Sequence, residues 1–377
     1  MIPFNRPHLF NEELLFIADA YQSGHLSGDG KYTYLCTEWL KEYGKSSEVL
    51  LTHSCTAALE MAAMLANIRE GDEIIMPSFT FVSTANAFAL RGGVPVFVDI
   101  KPDTLNIDEA LIERAITKKT KAIVVVHYAG GSCNMDAIMK IAASNNLLVI
   151  EDAAQSIGSF YKDRPLGTFG DLGCFSFHET KNVSSGEGGA LFINNEDLSE
   201  RARIICNKGT NRHQFNNGVV DKYTWVDLGS SYLPSELTAA FLYAQLQKID
   251  FVTQARLAIW DTYHTSLKAD TFKAEWKTPS FEIDSKHNGH MYQLRLRSKL
   301  DRDAFIEHMK KKGISCAFHY VSLHSSPFGK LTGRYVGSME VTDNASNTLV
   351  RLPFWIGIEP HLKAITQAVK TYLEADN

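Results

Sequence analysis

Between residues 48 and 151, short apolar runs alternate with amphipathic stretches. The runs are rich in Val, Ile and Leu, and they cover residues 48–51, 73–76, 94–98, 122–126 and 147–150. Nearly continuous apolar runs are typical of strands that are buried on both faces, as in a mainly parallel sheet. The stretches between them have the spacing of helices, at residues 57–68, 107–116 and 135–144. The pattern therefore predicts an α/β unit.

After residue 234 the pattern changes to longer helical stretches, at 235–249 and 251–268. A second unit follows, with a helix at 301–312 that Asp301 is expected to cap, a strand at 314–318 and a terminal helix at 360–373. The chain has 377 residues, which exceeds the length of about 250–300 residues at which a single core stops growing. We therefore predict a large α/β domain over residues 1–250 and a smaller α+β domain over residues 251–377.

Composition narrows the class of protein. Hydrophobic residues make up 45% and charged residues 21% of the chain, which indicates a folded globular protein, and the net charge of -5 argues against a nucleic-acid surface. The amino terminus lacks a signal-peptide pattern, and no run reaches the roughly 18 apolar residues of a membrane span. The six cysteines form no Cys-x-x-Cys pair, so neither a disulfide framework nor a metal site is predicted. We expect a cytoplasmic protein that does not bind membranes.

Two segments carry the chemistry. Asp152 directly follows the apolar run 147–150, which places it at the carboxyl edge of the sheet, where open α/β sheets bind ligands. Lys181 follows the aromatic and apolar run 174–177, so its amine is expected to be partly desolvated and nucleophilic. A pyridoxal 5'-phosphate (PLP) site needs an amine for a Schiff base, an anion for the pyridine nitrogen and donors for the phosphate. The sequence predicts such a site.

Further candidates surround this pair. The segment 53–59 is a strand-to-helix junction whose free amides suit a phosphate, and Ser176 offers a hydroxyl. Gln155 lies three residues beyond Asp152 and can donate to the cofactor's ring hydroxyl, while Phe81 can stack on its ring. Taken alone, these residues are typical of a helix cap, a surface amide and a core aromatic residue. Their order along the chain and their placement at one sheet edge make the combination specific. Neither a Gly-x-Gly-x-x-Gly nor a Gly-x-x-x-x-Gly-Lys-Ser/Thr motif is present, which argues against nicotinamide or nucleotide-hydrolysis chemistry.

The segments Met76–Ala87, Glu151–Gln155 and Phe175–Asn182 resemble those of DegT/DnrJ-type nucleotide-sugar aminotransferases. The resemblance is close to full length. It implies the aspartate-aminotransferase-like (type I) PLP fold, with a large, mainly parallel-sheet domain and a smaller C-terminal α+β domain. It also implies a homodimer with active sites at the interface.

The same resemblance implies roles for individual residues. Lys181 would hold PLP, and the other cofactor contacts would be Asp152, Gln155, Phe81, Ser176, Cys55 and Thr56. Many relatives carry an Asn that reaches the partner subunit's phosphate. Here Ser231 stands at that position, and Leu233 replaces the Arg that usually follows.

Within the family, residues 208–212, 220–225 and 229–233 are most similar to members that aminate dTDP-4-keto-6-deoxyglucose. Those members use L-glutamate and form dTDP-4-amino-4,6-dideoxygalactose for surface polysaccharides. The resemblance and the positions along the chain suggest substrate contacts at Lys208, Arg212, His319, Tyr320 and His324.

Several alternatives stay open at this point. The product can be the equatorial 4-amino epimer, or the substrate can be a 3-keto sugar. A sugar dehydratase of this fold resembles this site with His in place of the lysine, and Lys181 disfavours it. A non-catalytic regulator on the same fold is the remaining alternative, and the complete set of Lys181, Asp152 and Gln155 argues against it.

Overall fold

The computed structural model describes residues 1–268 and 276–375. Fourteen strands lie within these residues. They are β1 (Glu48–Thr52), β2 (Glu73–Pro77), β3 (Val94–Val98), β4 (Thr120–Val126), β5 (Leu148–Asp152), β6 (Phe160–Tyr161), β7 (Arg164–Pro165), β8 (Leu172–Ser176), β9 (Gly189–Ile193), β10 (Ser285–Lys286), β11 (Gln293–Arg295), β12 (Ala317–Phe318), β13 (Arg334–Tyr335) and β14 (Leu349–Arg351).

Fourteen α-helices lie within the same described residues, together with short 3-10 turns. The helices are α1 (Glu12–Ser23), α2 (Lys31–Gly44), α3 (Cys55–Leu65), α4 (Val82–Ala89), α5 (Ile112–Ala115), α6 (Met135–Asn145), α7 (Ser199–Cys206), α8 (Arg212–Asn216), α9 (Glu236–Leu246), α10 (Ile249–Leu267), α11 (Lys299–Lys311), α12 (Pro327–Thr332), α13 (Glu340–Thr348) and α14 (Leu362–Ala375).

The main sheet has eight strands in the order β1-β9-β8-β5-β4-β2-β3-β13. Strand β9 is antiparallel to both of its neighbours, and the other pairings are parallel. The predicted mainly parallel sheet is confirmed. All five apolar runs of the sequence form strands in it.

Helices cover both faces of this sheet. Adjacent residues of a strand point to opposite faces, so they pack with different helices. Ile74 and Val124 pack with α3, α4 and α7, whereas Ile75, Ile123 and Val125 pack with α5 and α6. Near β1, helices α1, α2 and α9 complete the cover. Burial on both faces explains why these strands read as continuous apolar runs.

A second core lies in the C-terminal part of the chain. It joins the end of α10 to α11, α14 and the three-stranded sheet β11-β14-β12. The chain also returns to the main sheet, where β13 pairs with β3. The division into domains at residue 250 stays a prediction.

Three local predictions from the sequence are wrong. Helix α11 begins at Lys299 and is capped by Ser298, whose Oγ accepts from Asp301 N at 3.2 Å. The helix expected at 107–116 shrinks to a 3-10 turn and α5, because a bridge to Ile100 keeps Ile107 extended. The strand expected at 314–318 is limited to β12, and Ile314 pairs separately with Ile2.

Across residues 1–268 and 276–375, none of the helices combines the length and apolar character that crossing a bilayer requires. All six cysteines are free thiols.

Candidate active site

A cavity of about 740 Å³ opens at the carboxyl edge of the main sheet. Strands β4, β5 and β8 end at its floor, α3 and α4 begin beside it, and the C-terminal unit forms the opposite wall. This edge brings together nine of the residues selected from the sequence. They are Cys55, Thr56, Phe81, Asp152, Gln155, Ser176, Lys181, His319 and Tyr320.

Lys181 reaches the cavity from the loop between β8 and β9. This loop is held closed by backbone bonds from Phe177 N to Gly188 O and from Glu179 N to Gly186 O, both 2.8 Å. Burial of the amine lowers the pKa of Lys181, because removal from water disfavours the ammonium form. A lysine in this environment supplies a neutral amine more readily than an exposed lysine does.

Asp152 lies on the floor of the cavity at the end of β5 and is 6% exposed. Its Oδ2 accepts from Thr84 Oγ1 at 2.7 Å, and its Oδ1 accepts from Ala154 N at 3.2 Å. Burial raises the pKa of Asp152, while the bond from Thr84 and the charge of Lys181 oppose that rise. A protonated pyridine nitrogen at this carboxylate would compensate for its lost hydration.

The side-chain amide of Gln155 is fixed by two hydrogen bonds. Its Oε1 accepts from Ala129 N at 2.7 Å, and its Nε2 donates to the Tyr320 hydroxyl at 2.7 Å. An amide nitrogen has two protons, so one donor remains for a ligand. Tyr320 itself has a left-handed φ of 48°, and its carbonyl accepts from Ser346 Oγ at 3.1 Å.

The start of α3 is a site for an anion. Ser54 caps the helix by accepting from Ala57 N at 3.1 Å, so the amides of Cys55 and Thr56 are left without helical partners. These amides and the positive end of the helix dipole suit a phosphate. Thr56 Oγ1 also donates to Ser83 Oγ at 2.9 Å, which ties α3 to the start of α4.

Gly189 allows this helix start to approach the sheet. A Cβ built on Gly189 would lie 2.4 Å from the Ser54 carbonyl carbon and 2.5 Å from Cys55 N. No side chain fits there without moving the backbone of the helix start. Gly189, the first residue of β9, therefore shapes the phosphate end of the cavity.

Phe81 immediately precedes α4 in an extended conformation and is 57% exposed. Its ring lines the cavity, as expected for a group that stacks on a cofactor. Taken together, the cavity offers a buried amine, an oriented carboxylate, an amide donor and free helix amides. This set fits PLP.

Four selected residues lie outside the lining of the cavity. Lys208 and Arg212 are exposed near the start of α8. Ser231 is also exposed, and its backbone forms an isolated antiparallel β-bridge with Asn207. His324 is buried, where its Nδ1 lies 2.9 Å from Ser78 Oγ and its Nε2 lies 3.4 Å from Asp343 Oδ1. The roles of these four residues stay predictions.

The structure adds residues that the sequence reasoning missed. Thr84 orients Asp152, and Tyr128 OH lies 2.8 Å from Nδ1 of His319. Asn182 follows Lys181 in the chain, and its Oδ1 lies 2.9 Å from Nδ1 of buried His290. The adjacency of Asn182 to the lysine was a usable signal. Thr84, Tyr128 and His290 lie on elements far from their partners in the sequence, so sequence spacing did not identify them.

Comparison with known proteins agrees with this geometry. The sequence profile of the DegT/DnrJ/EryC1/StrS aminotransferase family matches residues 7–370. The chain belongs to this family. The spore coat polysaccharide biosynthesis protein SpsC of Bacillus subtilis (strain 168) is 34% identical over 334 residues, which cover 87% of this chain and 85% of SpsC.

Solved structures show the same fold. The aminotransferase TlmJ from Streptoalloteichus hindustanus has a TM-score of 0.91 and 26% identity, with 100% of both chains covered. PseC of Helicobacter pylori, an aminotransferase involved in pseudoaminic acid biosynthesis, has a TM-score of 0.89 and 26% identity, with 99% of each chain covered. The protein is a PLP-dependent sugar aminotransferase with the type I fold.

Proposed function

We propose that this enzyme transfers the amino group of L-glutamate to C4 of dTDP-4-keto-6-deoxyglucose, forming dTDP-4-amino-4,6-dideoxygalactose for a surface polysaccharide. The observation that carries the transamination is the placement of Lys181 and Asp152 in one cavity. The choice of sugar is supported by the sequence likeness of residues 208–212, 220–225 and 229–233. The name of SpsC supports a role in polysaccharide synthesis.

PLP, when bound, supplies an electron sink for the pair left when a proton leaves the amino acid's Cα. Asp152 would hold the proton on the pyridine nitrogen, and the amides of Cys55 and Thr56 with the hydroxyl of Ser176 would hold the phosphate. Lys181 would supply the amine that anchors the group. Phe81 and Gln155 would contact the ring.

Lys181 then has a second task. Its freed Nζ removes the Cα proton of glutamate, which requires a neutral amine, and the lowered pKa of Lys181 favours that form. Water would then release 2-oxoglutarate, and PLP would supply the means of carrying the amino group to the second substrate. In the second half-reaction the keto-sugar enters the same cavity, and Lys181 returns a proton to the carbon that receives the amine.

The absorbance spectrum of the PLP-loaded enzyme tests the first half-reaction. L-glutamate is expected to convert the PLP spectrum to that of pyridoxamine phosphate, and Lys181→Ala is expected to abolish this conversion. Appreciable turnover by the variant would contradict the assignment of Lys181.

Nuclear magnetic resonance of the sugar product then identifies the reaction. An axial amine at C4 supports the proposal, whereas an equatorial amine or amination at C3 selects one of the two alternative products.

We propose that the enzyme is a homodimer in which Ser231 reaches the phosphate site of the partner subunit. Its exposed position outside the cavity of its own chain supports this proposal. Two inactive variants, Lys181→Ala and Ser231→Trp, are mixed under conditions that exchange subunits. Activity should return, because one site of the mixed dimer then has both native residues. If Ser231 acts within its own subunit, the mixture stays inactive.

We propose that Lys208 and Arg212 bind the substrate diphosphate and that His319, Tyr320 and His324 position the sugar. The exposed cations suit a phosphate, and two of the other three residues line the cavity. Arg212→Gln should raise KM for the nucleotide sugar and leave the glutamate half-reaction unchanged.

We further propose that the reaction takes place in the cytoplasm, since six free thiols suit a reducing compartment.

A further inference from the structure

The segment 288–290 lies between β10 and β11 and passes beside the cavity, which His290 lines. Its first residue, Asn288, is fully buried and lies outside the cavity lining. Arg256 of α10 fixes the segment by donating from Nε to Gly289 O at 3.0 Å and from Nη2 to His290 O at 2.7 Å. Because the backbone is held in this way, Asn288 presents its side-chain amide at a defined position.

The side chain of Asn288 holds the turn that follows β5. Its Nδ2 donates to the carbonyl of Gln155 at 2.9 Å and to that of Ile157 at 2.8 Å. Neither carbonyl receives another hydrogen bond from residues 1–268 or 276–375. The position of the backbone at Gln155 therefore depends on this amide.

The oxygen of the same amide packs against the turn that follows β4. A Cβ built on Gly130, whose φ is 79°, would lie 2.1 Å from Oδ1 of Asn288, so this close approach requires a glycine. The neighbouring Ala129 N donates to Oε1 of Gln155 at 2.7 Å. The Asn288 side chain thus lies between two turns that both hold Gln155.

The backbone carbonyl of Asn288 is bound to the loop that carries the lysine. It accepts from Nδ2 of Asn182 at 3.0 Å, and Asn182 directly follows Lys181 in the chain. Oδ1 of Asn182 lies 2.9 Å from Nδ1 of His290, so both ends of the Asn182 amide contact the segment 288–290. Asn288 therefore links the neighbour of the anchoring lysine to the turn that carries Gln155.

We propose that Asn288 is a positioning residue that sets the position of the Gln155 amide relative to Lys181. This inference rests on the proposed function, in which Lys181 anchors PLP and Gln155 donates to its ring hydroxyl. Without the Asn288 amide, two buried carbonyls lack donors, and the turn shifts to satisfy them. A hydrogen bond weakens steeply when its donor is displaced or turned, so the bond from Gln155 to the ring hydroxyl suffers.

The test compares PLP bound to wild type and to Asn288→Ala. This substitution removes the two donated bonds and keeps the backbone carbonyl that accepts from Asn182. Oδ1 of Asn288 has no hydrogen-bond partner among the described residues, so no accepted bond is lost. Spectroscopic titration should show PLP affinity that is weaker by about 3- to 10-fold, as expected for one impaired hydrogen bond.

The pH dependence of the absorbance of bound PLP is the second measurement. A weaker donor leaves more negative charge on the ring oxygen, which then holds the neighbouring proton more firmly. The pH midpoint of the absorbance change should therefore rise by about 0.5–1 unit in Asn288→Ala. A purely structural role of Asn288 would lower thermal stability and leave this midpoint unchanged.

A substitution of Gln155 shows whether Asn288 acts through it. Gln155→Ala removes the donor itself and should shift PLP affinity and the pH midpoint at least as far. The double variant with Asn288→Ala should match Gln155→Ala alone, because no donor is left to misplace. Asn288→Ser leaves room for a water that bonds to both carbonyls, so it should give smaller shifts in the same direction. It replaces Asn288→Ala if that variant does not fold.

Asn194 provides a matched control. Its Nδ2 also donates to two backbone carbonyls, those of Gly167 at 3.2 Å and Gly170 at 2.9 Å, and its Oδ1 accepts from Ser46 Oγ at 2.8 Å. It lies outside the lining of the cavity. Asn194→Ala should lower the unfolding temperature but leave PLP affinity and the pH midpoint at wild-type values.

Unchanged PLP affinity and pH midpoint in the folded Asn288 variants would overturn the inference, and so would additive shifts in the double variant. Equal shifts in Asn194→Ala would also overturn it, because they would follow from lost stability alone. Failure of the proposed function gives a different result. If Gln155→Ala leaves both quantities unchanged, the assignment of Gln155 is wrong and the inference falls with it. A shift in Gln155→Ala without one in Asn288→Ala contradicts the inference alone.

Discussion

At Lys181 and Asp152, burial shifts two pKa values in opposite directions. The pKa of Lys181 falls and that of Asp152 rises, because in each case water is removed from the charged form. Both shifts reduce the stability of the folded, cofactor-free protein at neutral pH. A cofactor that takes up the amine covalently and places a positive nitrogen beside the carboxylate relieves both costs.

The lysine shift predicts a pH-dependent stability. The folded protein binds the Lys181 proton less tightly than the unfolded chain, for which the ordinary pKa is 10.5. Stability is therefore lowered below the folded-state pKa and is regained as pH rises through that value towards 10.5. Lys181→Met removes this titration without adding much volume.

The cofactor-free Lys181→Met variant should unfold at a higher temperature than wild type at neutral pH, by about 2 °C or more. The difference should shrink as the pH approaches about 10. Thermal unfolding of both cofactor-free proteins across this pH range measures it. A difference that is the same at every pH would contradict the burial of the ammonium form.

At the scale of single elements, the first turn of α2 depends on a residue far along the chain. Glu236, 2% exposed at the start of α9, accepts from Gly30 N at 3.1 Å, Tyr32 N at 2.7 Å and Thr33 N at 3.0 Å. The backbone amides at this helix end thus find their acceptor on another helix. Its carboxylate also interacts favourably with the helix dipole.

Glu236→Gln should destabilise the protein by about 2–4 kcal/mol, because charge-assisted bonds to buried amides are weakened. Denaturant unfolding followed by far-UV circular dichroism measures this loss. Glu38→Gln is the control, since the side chain of Glu38 is 47% exposed and pairs with Lys41 on the same helix. That variant should stay within about 0.5 kcal/mol of wild type. Equal effects of the two substitutions would refute the capping role.

The contact between β9 and the start of α3 gives a second prediction at this scale. Gly189→Ala should weaken PLP binding at least about 10-fold, because the new methyl group displaces the amides that hold the phosphate. Gly186→Ala is the control: its φ is 78°, but a Cβ there meets nothing within 4 Å. It should cost about 1 kcal/mol of stability and leave PLP affinity near wild type. Spectroscopic titration with PLP distinguishes the two variants, and normal affinity in Gly189→Ala would be the contrary result.

At the scale of the whole molecule, buried contacts tie the C-terminal part of the chain to the main sheet. Asp99, directly after β3, is 5% exposed. Its Oδ1 accepts from Thr342 N at 2.8 Å and Oγ1 at 2.7 Å, and its Oδ2 accepts from Val341 N at 3.0 Å. Arg334 adds a pair of bonds to Glu73 of β2, at 2.9 and 2.8 Å. These contacts position the wall that carries His319, Tyr320 and Arg351.

Asp99→Ala should loosen α13 and the wall behind it. Hydrogen exchange followed by mass spectrometry should show faster exchange over residues 340–348 and little change in β4 and β5, because the lost carboxylate accepts from the start of α13 and from neighbouring Ile100 N. Asp103→Ala is the control, since Asp103 is exposed and its side chain accepts from neighbouring Thr104 N at 2.8 Å. If residues 340–348 of Asp99→Ala exchange as slowly as they do in wild type, then α13 is held by packing alone.

The sequence by itself determined five of the eight strands of the main sheet and the cofactor, and it predicted the pair Lys181 and Asp152 that the structure brings into one cavity. Buried parallel strands must be continuously apolar, and polar residues at their carboxyl ends must share one edge. Helix starts were less well determined, because Ser298 and Asp301 are both good caps and only the observed backbone chose between them. Likewise, Ile107 became extended because it pairs with Ile100.

Only the tertiary structure decided which distant residues complete the site. Thr84 meets Asp152, Tyr128 meets His319, and Asn182 meets His290 through contacts that span 68, 191 and 108 residues. It also left His324 outside the cavity and placed Arg351 inside its wall. The physical reason is that local patterns specify which face of an element is buried, whereas packing between elements specifies which polar groups meet there.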